Sequence, residues 1–535
     1  MLINDIIVYN GLGNNYKKVS FILERIDSRL KMERLRYPKR AKELVAELSQ
    51  AKEEGRLGDR FSEIFGMHEM DMMQIWESRF FIKELPDAFY KENIHLLPFR
   101  VLIESMAGNV EECERVARFN TRDFAEIRKT TLTPNDYSTI MTELIMPRLD
   151  NAGFIERINY LVDNLPFSIP GLALTACRPG VINGFRDLTV WCPRMHELRS
   201  VVEKDINMLY GKSAKGIYDV ALAEWKYETD KVFEALLLVA DTIPTLDYVD
   251  DIRCLVAAYA LQLRILILNG QTKCSDGIFE KIIEKAKVKH YEEMESSVRA
   301  LKCLFACYEG DSDKIEEWLE YYAPNEDKDI FTMDIYAYFV KMRCYLQTGR
   351  YMMTSLLSRR LIELFKKSYR PHDTCECYIL SAMACYKAGD KKTALNDFKK
   401  ALEIGISAGY MRLFSDEGQM MLNLIELYRE DKKKHPEQES SLDEKKLREI
   451  KTAALEIARR FPTYLEAMQD MYNALTKTEK AVLVLLAEGL SNDEIAIKLN
   501  KKCGSIKFHT SGIYKKLKVE NRQQAVNRAR DLGIV

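Results

Sequence analysis

Lys507, Phe508 and Ser511 fall at helical spacing near the end of a 535-residue chain, which puts all three on one side of a helix. Lysine can reach base edges or phosphates, an aromatic ring can contact a thymine methyl, and serine can bond either kind of base. Gly504 and Lys515 share that face. Opposite them, Ile506, Thr510, Ile513 and Leu517 recur at the helical period and should look inward. A helix with a buried stripe and an outward polar stripe, preceded by a short helix and a tight turn, has the chemistry to enter the major groove of DNA.

The elements that must hold this helix can be read from their ends. Thr476 with Glu479, and Ser491 with Glu494, fit the Ser/Thr-x-x-Glu capping box, and Asn521 with Gln524 is a looser version. Val482, Leu483, Leu485 and Leu486 supply an apolar face after the first start, and Gly489 should end that helix. A second helix is expected over about 492–499, packing through Ile495, Ala496 and Leu499. Asn500, Lys501 and Lys502 form the turn, and the third helix runs from about Cys503 to Leu517. Residues 475–535 hold 12 Lys and Arg against 6 Asp and Glu, a net +6 on a chain of net -1. A basic tail on an acidic body is the asymmetry of a nucleic-acid-binding module with a separate regulatory part. Clustered around one helix, Lys501, Lys502, Lys515, Lys516 and Lys518 suit phosphate contact.

These residues resemble the DNA-binding domain of LuxR-type regulators. That family's pattern is Leu-Thr-x-x-Glu, Gly-x-Ser-Asn-x-Glu-Ile-Ala, Thr-Val-Lys-x-His and Ile-Tyr-x-Lys-Leu. Here Ser505-Ile506-Lys507 fills the third slot, and Asn521-Arg522 precedes the last helix. The chain departs from the pattern at Lys502, where a capping Ser is usual, and at Ala481, where Glu is usual. A lost cap costs about 1 kcal/mol. The resemblance implies that Lys507, Phe508 and Ser511 face bases, while Lys501, Lys515, Lys516 and Arg522 lie near phosphates. It also implies dimerisation through the final helix, although Ala525, Val526, Ala529 and Leu532 suit intradomain core better.

The body reads as repeats. Asp230, Gly270, Gly310, Gly349 and Gly389 recur about every 40 residues, each after an apolar helix and before another. Tyr378, Ala382, Gly389-Asp390, Ala394, Phe398 and Ala401 have the spacing of a tetratricopeptide-like hairpin, with helices longer than a 34-residue unit needs. Such arrays stack into a solenoid whose concave face binds something. A weaker turn at Gly108-Asn109 extends the helical pattern forward. Pro166, Pro170, Pro179 and Pro193 break it, so 164–193 is expected to be an irregular connection of the kind that carries binding function. The expected organisation is all-α: a helical region 1–200, tetratricopeptide-like repeats 201–428, a charged loop and linker helix 429–474, and a four-helix helix-turn-helix domain 475–535. The run Arg429 to Lys446 is expected as an exposed loop. This layout resembles the C-terminal half of large LuxR-type regulators of the maltotriose-responsive activator type. Arg178 to Asp187 and Gly216 to Glu224 carry that looser likeness. No Gly-x-x-x-x-Gly-Lys-Ser/Thr loop of their N-terminal ATPase module occurs in this sequence, so ATP gating of that kind is either absent or lost with a missing N-terminal part.

Other chemistry finds little support. Cysteines in an apparently cytosolic chain stay reduced, and no Cys-x-x-Cys occurs. Cys375 and Cys377 near His372, and Cys303 with Cys307, read as small core residues. Cys503 opens the third helix, where a thiol pKa can fall, a position that would suit an oxidant sensor. His509 belongs to the tail pattern, as a packing or phosphate residue. Trp191, Trp225 and Trp318 read as core before ligand groove. No acid–base pair converges, no cofactor or metal is read, and no apolar run reaches the roughly 18 residues of a membrane span. The start of the chain lacks signal-peptide features. The expectation is a cytoplasmic, non-enzymatic, sequence-specific regulator of bacterial type, an activator before a repressor. Its partners would be double-stranded DNA, a second copy of itself on paired half-sites, RNA polymerase, and a small-molecule or protein effector on the body. The rival is a protein–protein scaffold with vestigial DNA binding.

Overall fold

The computed structural model describes residues 39–67, 72–120, 134–145, 177–197, 199–210, 216–249, 252–271, 275–288, 293–326, 330, 332–435, 443–466 and 475–531. Every regular element among them is helical. The expectations for Pro166, Pro170, Leu532 and the stretch 467–474 lie outside the described residues.

The body is built on five consecutive hairpins: α1 (Ile217–Glu228) with α2 (Val232–Val249), α3 (Ile252–Leu268) with α4 (Asp276–Val288), α5 (Glu293–Glu309) with α6 (Ser312–Tyr321), α7 (Ile335–Gln347) with α8 (Tyr351–Lys367), and α9 (Pro371–Lys387) with α10 (Lys391–Ala408). The turn in each carries one residue at positive φ: Asp230 at 63°, Gly270 at 68°, Gly310 at 70°, Gly349 at 77° and Gly389 at 87°. That conformation closes a helix C-terminus and favours glycine, so the 40-residue spacing in the sequence is the spacing of these turns. Gly108, at φ 71°, closes the same kind of turn between the helices Leu97–Met106 and Val110–Ala117.

The odd-numbered helices stack on one another, so α7 and α9 are buried almost all round. This is why they lack a polar stripe. Small residues set the packing distances. At Gly405 on α10 a β-carbon would stand 2.4 Å from Phe414 Cε2, so only glycine permits that approach.

The charged run differs from its expectation. Residues 429–434 complete α11 (Gly418–Lys434), and 444–446 open α12 (Glu444–Arg460). Between them, 436–442 lie outside the described residues. Asp443 caps α12 by accepting from the Lys445 and Lys446 amides. Leu447, Ile450, Ala454 and Ile457 then join the core of the body. A high charge count masked this amphipathic stripe, because every third or fourth residue is apolar while those between are charged.

Residues 177–194 form bends and a short 3-10 turn. A buried irregular segment must find partners for its backbone, and charged side chains provide them. Glu224 accepts from the Val181 and Ile182 amides at 2.9 Å each. Arg370 donates to the carbonyls of Asn183 at 2.5 Å and Phe185 at 2.9 Å, and Asp187 accepts from the His372 amide at 2.7 Å. The segment is thereby fixed against α1 and α9.

Candidate nucleic-acid interface

The tail has its own core, made of Leu475, Val482, Leu483, Leu485, Leu486, Ile495, Ala496, Ile506, Ile513, Leu517, Ala525, Val526 and Ala529. Four helices build it: α13 (Lys477–Ala487), α14 (Asn492–Lys498), α15 (Cys503–Leu517) and α16 (Arg522–Asp531). Both capping boxes are present. Thr476 Oγ1 accepts from the Glu479 amide at 3.2 Å, and Glu479 accepts from the Thr476 amide at 2.7 Å. Ser491 and Glu494 repeat the exchange at 3.3 and 2.7 Å. Asn521 caps α16 by accepting from the Gln524 amide at 2.9 Å, while Gln524 reaches back one residue further, to Glu520. Gly489 at φ 91° ends α13, and Asn500 at φ 50° makes the turn between α14 and α15.

On α15 the two stripes separate as the sequence implied. Ile506, Thr510, Ile513 and Leu517 are buried, while Gly504, Lys507, Phe508, Ser511 and Lys515 are exposed. Phe508 is 77 % exposed. It stands on the outward stripe between Lys507 and Ser511, two polar groups that can bond to bases. Lys501 and Lys502 lie exposed at the start of the helix. Lys502 occupies the N-cap position at φ -77°, ψ 143° and makes no side-chain capping bond.

Two of the cations expected near phosphates are engaged inside the domain. Lys516 Nζ donates to Glu479 Oε2 at 2.7 Å, tying α15 to the cap of α13. Gly512 makes room for that carboxylate, since a β-carbon there would stand 2.7 Å from Glu479 Oε1. Burial works against the charged form of Glu479, but Lys516 and the Thr476 cap outweigh it and lower its pKa. Arg522 Nη2 donates to the carbonyls of Leu486 at 3.0 Å and Leu490 at 2.5 Å, tying the start of α16 to the end of α13 and the loop that follows it. The sequence showed the charge of these groups but not their direction. Lys518, at φ 52°, reaches Glu466 at 3.4 Å, and Glu466 also binds Lys387 at 2.6 Å.

Ala525, Val526 and Ala529 are buried in the tail's own core, the intradomain role preferred above. His509 is half-buried, its ring 6.0 Å from that of Phe508. Cys503 does not become a ready thiolate: a hydrogen bond with Asp493 pushes its pKa up.

In the body, Cys375 Sγ donates to the Ala401 carbonyl at 3.3 Å and forms no ligand set with His372. His372, Asp373 and Glu376 do lie close enough to share an ion, but arginines already hold these carboxylates. Arg178 and Arg370 bind Asp373, while Arg178 and Arg343 bind Glu376. Arg343 continues to Glu417, which accepts from the Tyr464 hydroxyl at 3.0 Å. A buried, charge-balanced chain thus runs from the irregular segment to the residues ahead of the tail. Trp225 and Trp318 are buried, as expected of core.

A repeat body followed by a trihelical reading head with one extra helix is the architecture of a helix-turn-helix protein with a separate regulatory part. Comparison with known proteins gives the same division. Residues 211–431 match the family described as the MalT-like TPR region, and residues 473–529 match the bacterial regulatory proteins of the luxR family. The transcriptional regulatory protein DesR of Bacillus subtilis is 42 % identical over 71 residues, 13 % of this chain and 36 % of that protein. The HTH-type transcriptional regulator MalT of Vibrio cholerae is 24 % identical over 292 residues, 51 % of this chain and 31 % of that protein. The response regulator protein VraR of Staphylococcus aureus is 42 % identical over 57 residues, 11 % of this chain and 27 % of that protein. The chain therefore combines a MalT-like repeat region with a LuxR-family helix-turn-helix domain, and it is homologous to MalT and to LuxR-type regulators. It matches about a third of the length of these relatives. Among the described residues no helix is long and apolar enough to cross a membrane.

Proposed function

We propose that the chain is a cytoplasmic, sequence-specific DNA-binding transcription regulator. Its tail reads the major groove through Lys507, Phe508 and Ser511, with Lys501, Lys502 and Lys515 on phosphates. The observation that carries this reading is the outward stripe of α15, where an exposed phenyl ring lies among groups that bond to bases, opposite a fully buried stripe. Lys516 and Arg522 have partners inside the domain and position the helix. By likeness to regulators with this tail, the chain acts as a dimer on paired half-sites and activates through RNA polymerase. The units are the helical region 1–200, the repeats 201–428, the stretch 429–474, whose first residues complete α11 and whose α12 packs into the core of the body, and the reading head 475–535.

The repeat body senses an effector. A small cleft of about 60 Å³ lies between the irregular segment and the stacked helices, lined by Arg178, Glu224, Tyr227, Arg264, Tyr336 and His372. It has room for about two waters, so a small polar effector enters by widening it. Burial raises the pKa of Glu224 to about 7, which lets it donate or accept there near neutrality. An effector that prefers one arrangement of body and tail shifts the population between them, in proportion to its differential affinity.

The test is genome-wide selection of bound DNA fragments by the full chain, beside a Lys507→Ala plus Ser511→Ala variant. A shared motif that the variant loses is the expected result. Salt-sensitive binding without a motif, unchanged in the variant, refutes base reading and leaves a scaffold with vestigial DNA binding, the reading that the uncapped start of α15 favours.

A further inference from the structure

Cys303 and Cys307 lie one turn apart on α5, and Cys344 comes from α7. The Sγ of Cys344 is 3.4 Å from that of Cys303 and 3.7 Å from that of Cys307. All three sulfurs lie within 4.8 Å of one another, and all three residues are buried. These are the separations of sulfurs sharing one ion: a metal–sulfur bond of about 2.3 Å at tetrahedral angles sets them about 3.8 Å apart. Among the described residues no His, Asp or Glu joins the set as a fourth ligand.

Charge selects the ion. A net charge placed in an apolar interior is costly unless paired. Three thiolates leave -1 on a divalent ion and -2 on a monovalent one. Arg343, the cation acting on Cys307, is already bound to Glu376 and Glu417. A trivalent ion cancels three thiolates and needs no partner, and a lone pair can fill the side where a fourth ligand is lacking.

We propose that Cys303, Cys307 and Cys344 form a binding site for a trivalent thiophilic metalloid, arsenic(III) or antimony(III). With arsenous acid, three As–O bonds break and three As–S bonds form. Each thiol proton leaves on a hydroxyl as water, and no electrons are transferred. Burial pushes the Cys303 and Cys344 thiols up, while their hydrogen bonds lower that of Cys307.

The site sits where the tail is attached. One turn along α7 from Cys344, Gln347 donates to the Thr463 carbonyl at 2.9 Å and accepts from the Leu465 amide at 2.5 Å. Beside Cys307 on α5, Tyr308 stacks on Tyr464 with ring centres 4.0 Å apart. An ion that locks α5 to α7 therefore acts on the segment ahead of α13. That a bound metalloid alters operator affinity rests on the function proposed above; the site itself does not.

The experiment is native mass spectrometry of the full, reduced chain with arsenite, followed by X-ray absorption at the arsenic edge. One arsenic gained, three hydrogens lost and three sulfur neighbours are expected. Cys344→Ala should weaken uptake about 100-fold or more by removing one arm of the chelate, and Cys385→Ala, a buried thiol elsewhere, should leave it unchanged. No adduct, or equal uptake by Cys344→Ala, overturns the proposal. So does an adduct that displaces only two thiol hydrogens, which would mark attachment through two sulfurs. Should Cys344→Ala fail to fold, fewer than three sulfur neighbours in the unmodified chain overturns it as well. Unaltered operator affinity in a chain carrying the three-sulfur adduct refutes the coupling while the site stands.

Discussion

Lys515 and Lys516 are neighbours with the same charge, and the structure gives them different work. Lys501, Lys502, Lys507 and Lys515 are exposed around α15, whereas Lys516 is bound to Glu479 at 2.7 Å. Each phosphate neutralised on duplex DNA releases counterions and contributes about -0.9 to the slope of log K against log salt. The three lysines assigned to phosphates, Lys501, Lys502 and Lys515, set that slope at about -2.7 per tail, and Lys515→Ala should bring it to about -1.8. Lys516→Ala should leave it near about -2.7, because its charge is already used inside the domain. Its effect should be on folding instead: Glu479, 6 % exposed, loses its cation, at a cost of about 1 kcal/mol to the tail. The assay is fluorescence anisotropy of the full chain on an operator duplex between about 50 and 200 mM salt, with melting of each variant followed in parallel. A slope that Lys516→Ala lowers as much as Lys515→Ala, or that Lys515→Ala leaves unchanged, refutes this division of labour.

Lys502→Ser should supply the missing cap of α15 and stabilise the tail by about 1 kcal/mol, read as a higher denaturation midpoint; no gain would mean that Lys502 already serves the helix start in another way. The body should lose stability in mild alkali. Burial opposes a charged His372, but Asp373 and Glu228 outweigh it and raise its pKa from 6.5 to about 9, with Arg178 acting the other way. The nitrogens stand 3.8 and 4.0 Å from those carboxylates, so the pairing is one of charge. A pKa raised on folding gives stability that is fully present below about pH 6.5 and lost as pH rises through about 9, about 3 kcal/mol at most. Thermal unfolding across that range should show the decline, and His372→Gln should flatten it; a decline of equal size in the variant would assign it to other groups.

Local rules made much of this chain legible. Capping boxes depend on residues three apart, so Thr476, Ser491 and Asn521 mark the helix starts, and the i, i+4 stripes of α15 separate outward from inward residues by spacing alone. A left-handed turn needs glycine or a short polar residue, so Asp230, Gly270, Gly310, Gly349 and Gly389 announced the hairpins. What the sequence hid is pairing at long range. Charge count suggested a loop over 429–446, where α11 and α12 carry an amphipathic stripe beneath the charges. Lys516 and Arg522 counted equally with Lys515 as cations, because a sequence records charge and not the direction of a long side chain. Cys303 and Cys307 read as core and are core, but Cys344 joins them only because α5 packs on α7. The arginines and acids from Arg178 to Glu417 likewise lie far apart in the chain, and no periodicity brings them together. By itself the sequence determined the turns of the hairpins, the starts of the tail helices and the outward face of α15, because each depends on residues within one or two turns. Only the tertiary structure decided which charges are free for a partner and which thiols meet, because those depend on how helices from distant parts of the chain pack.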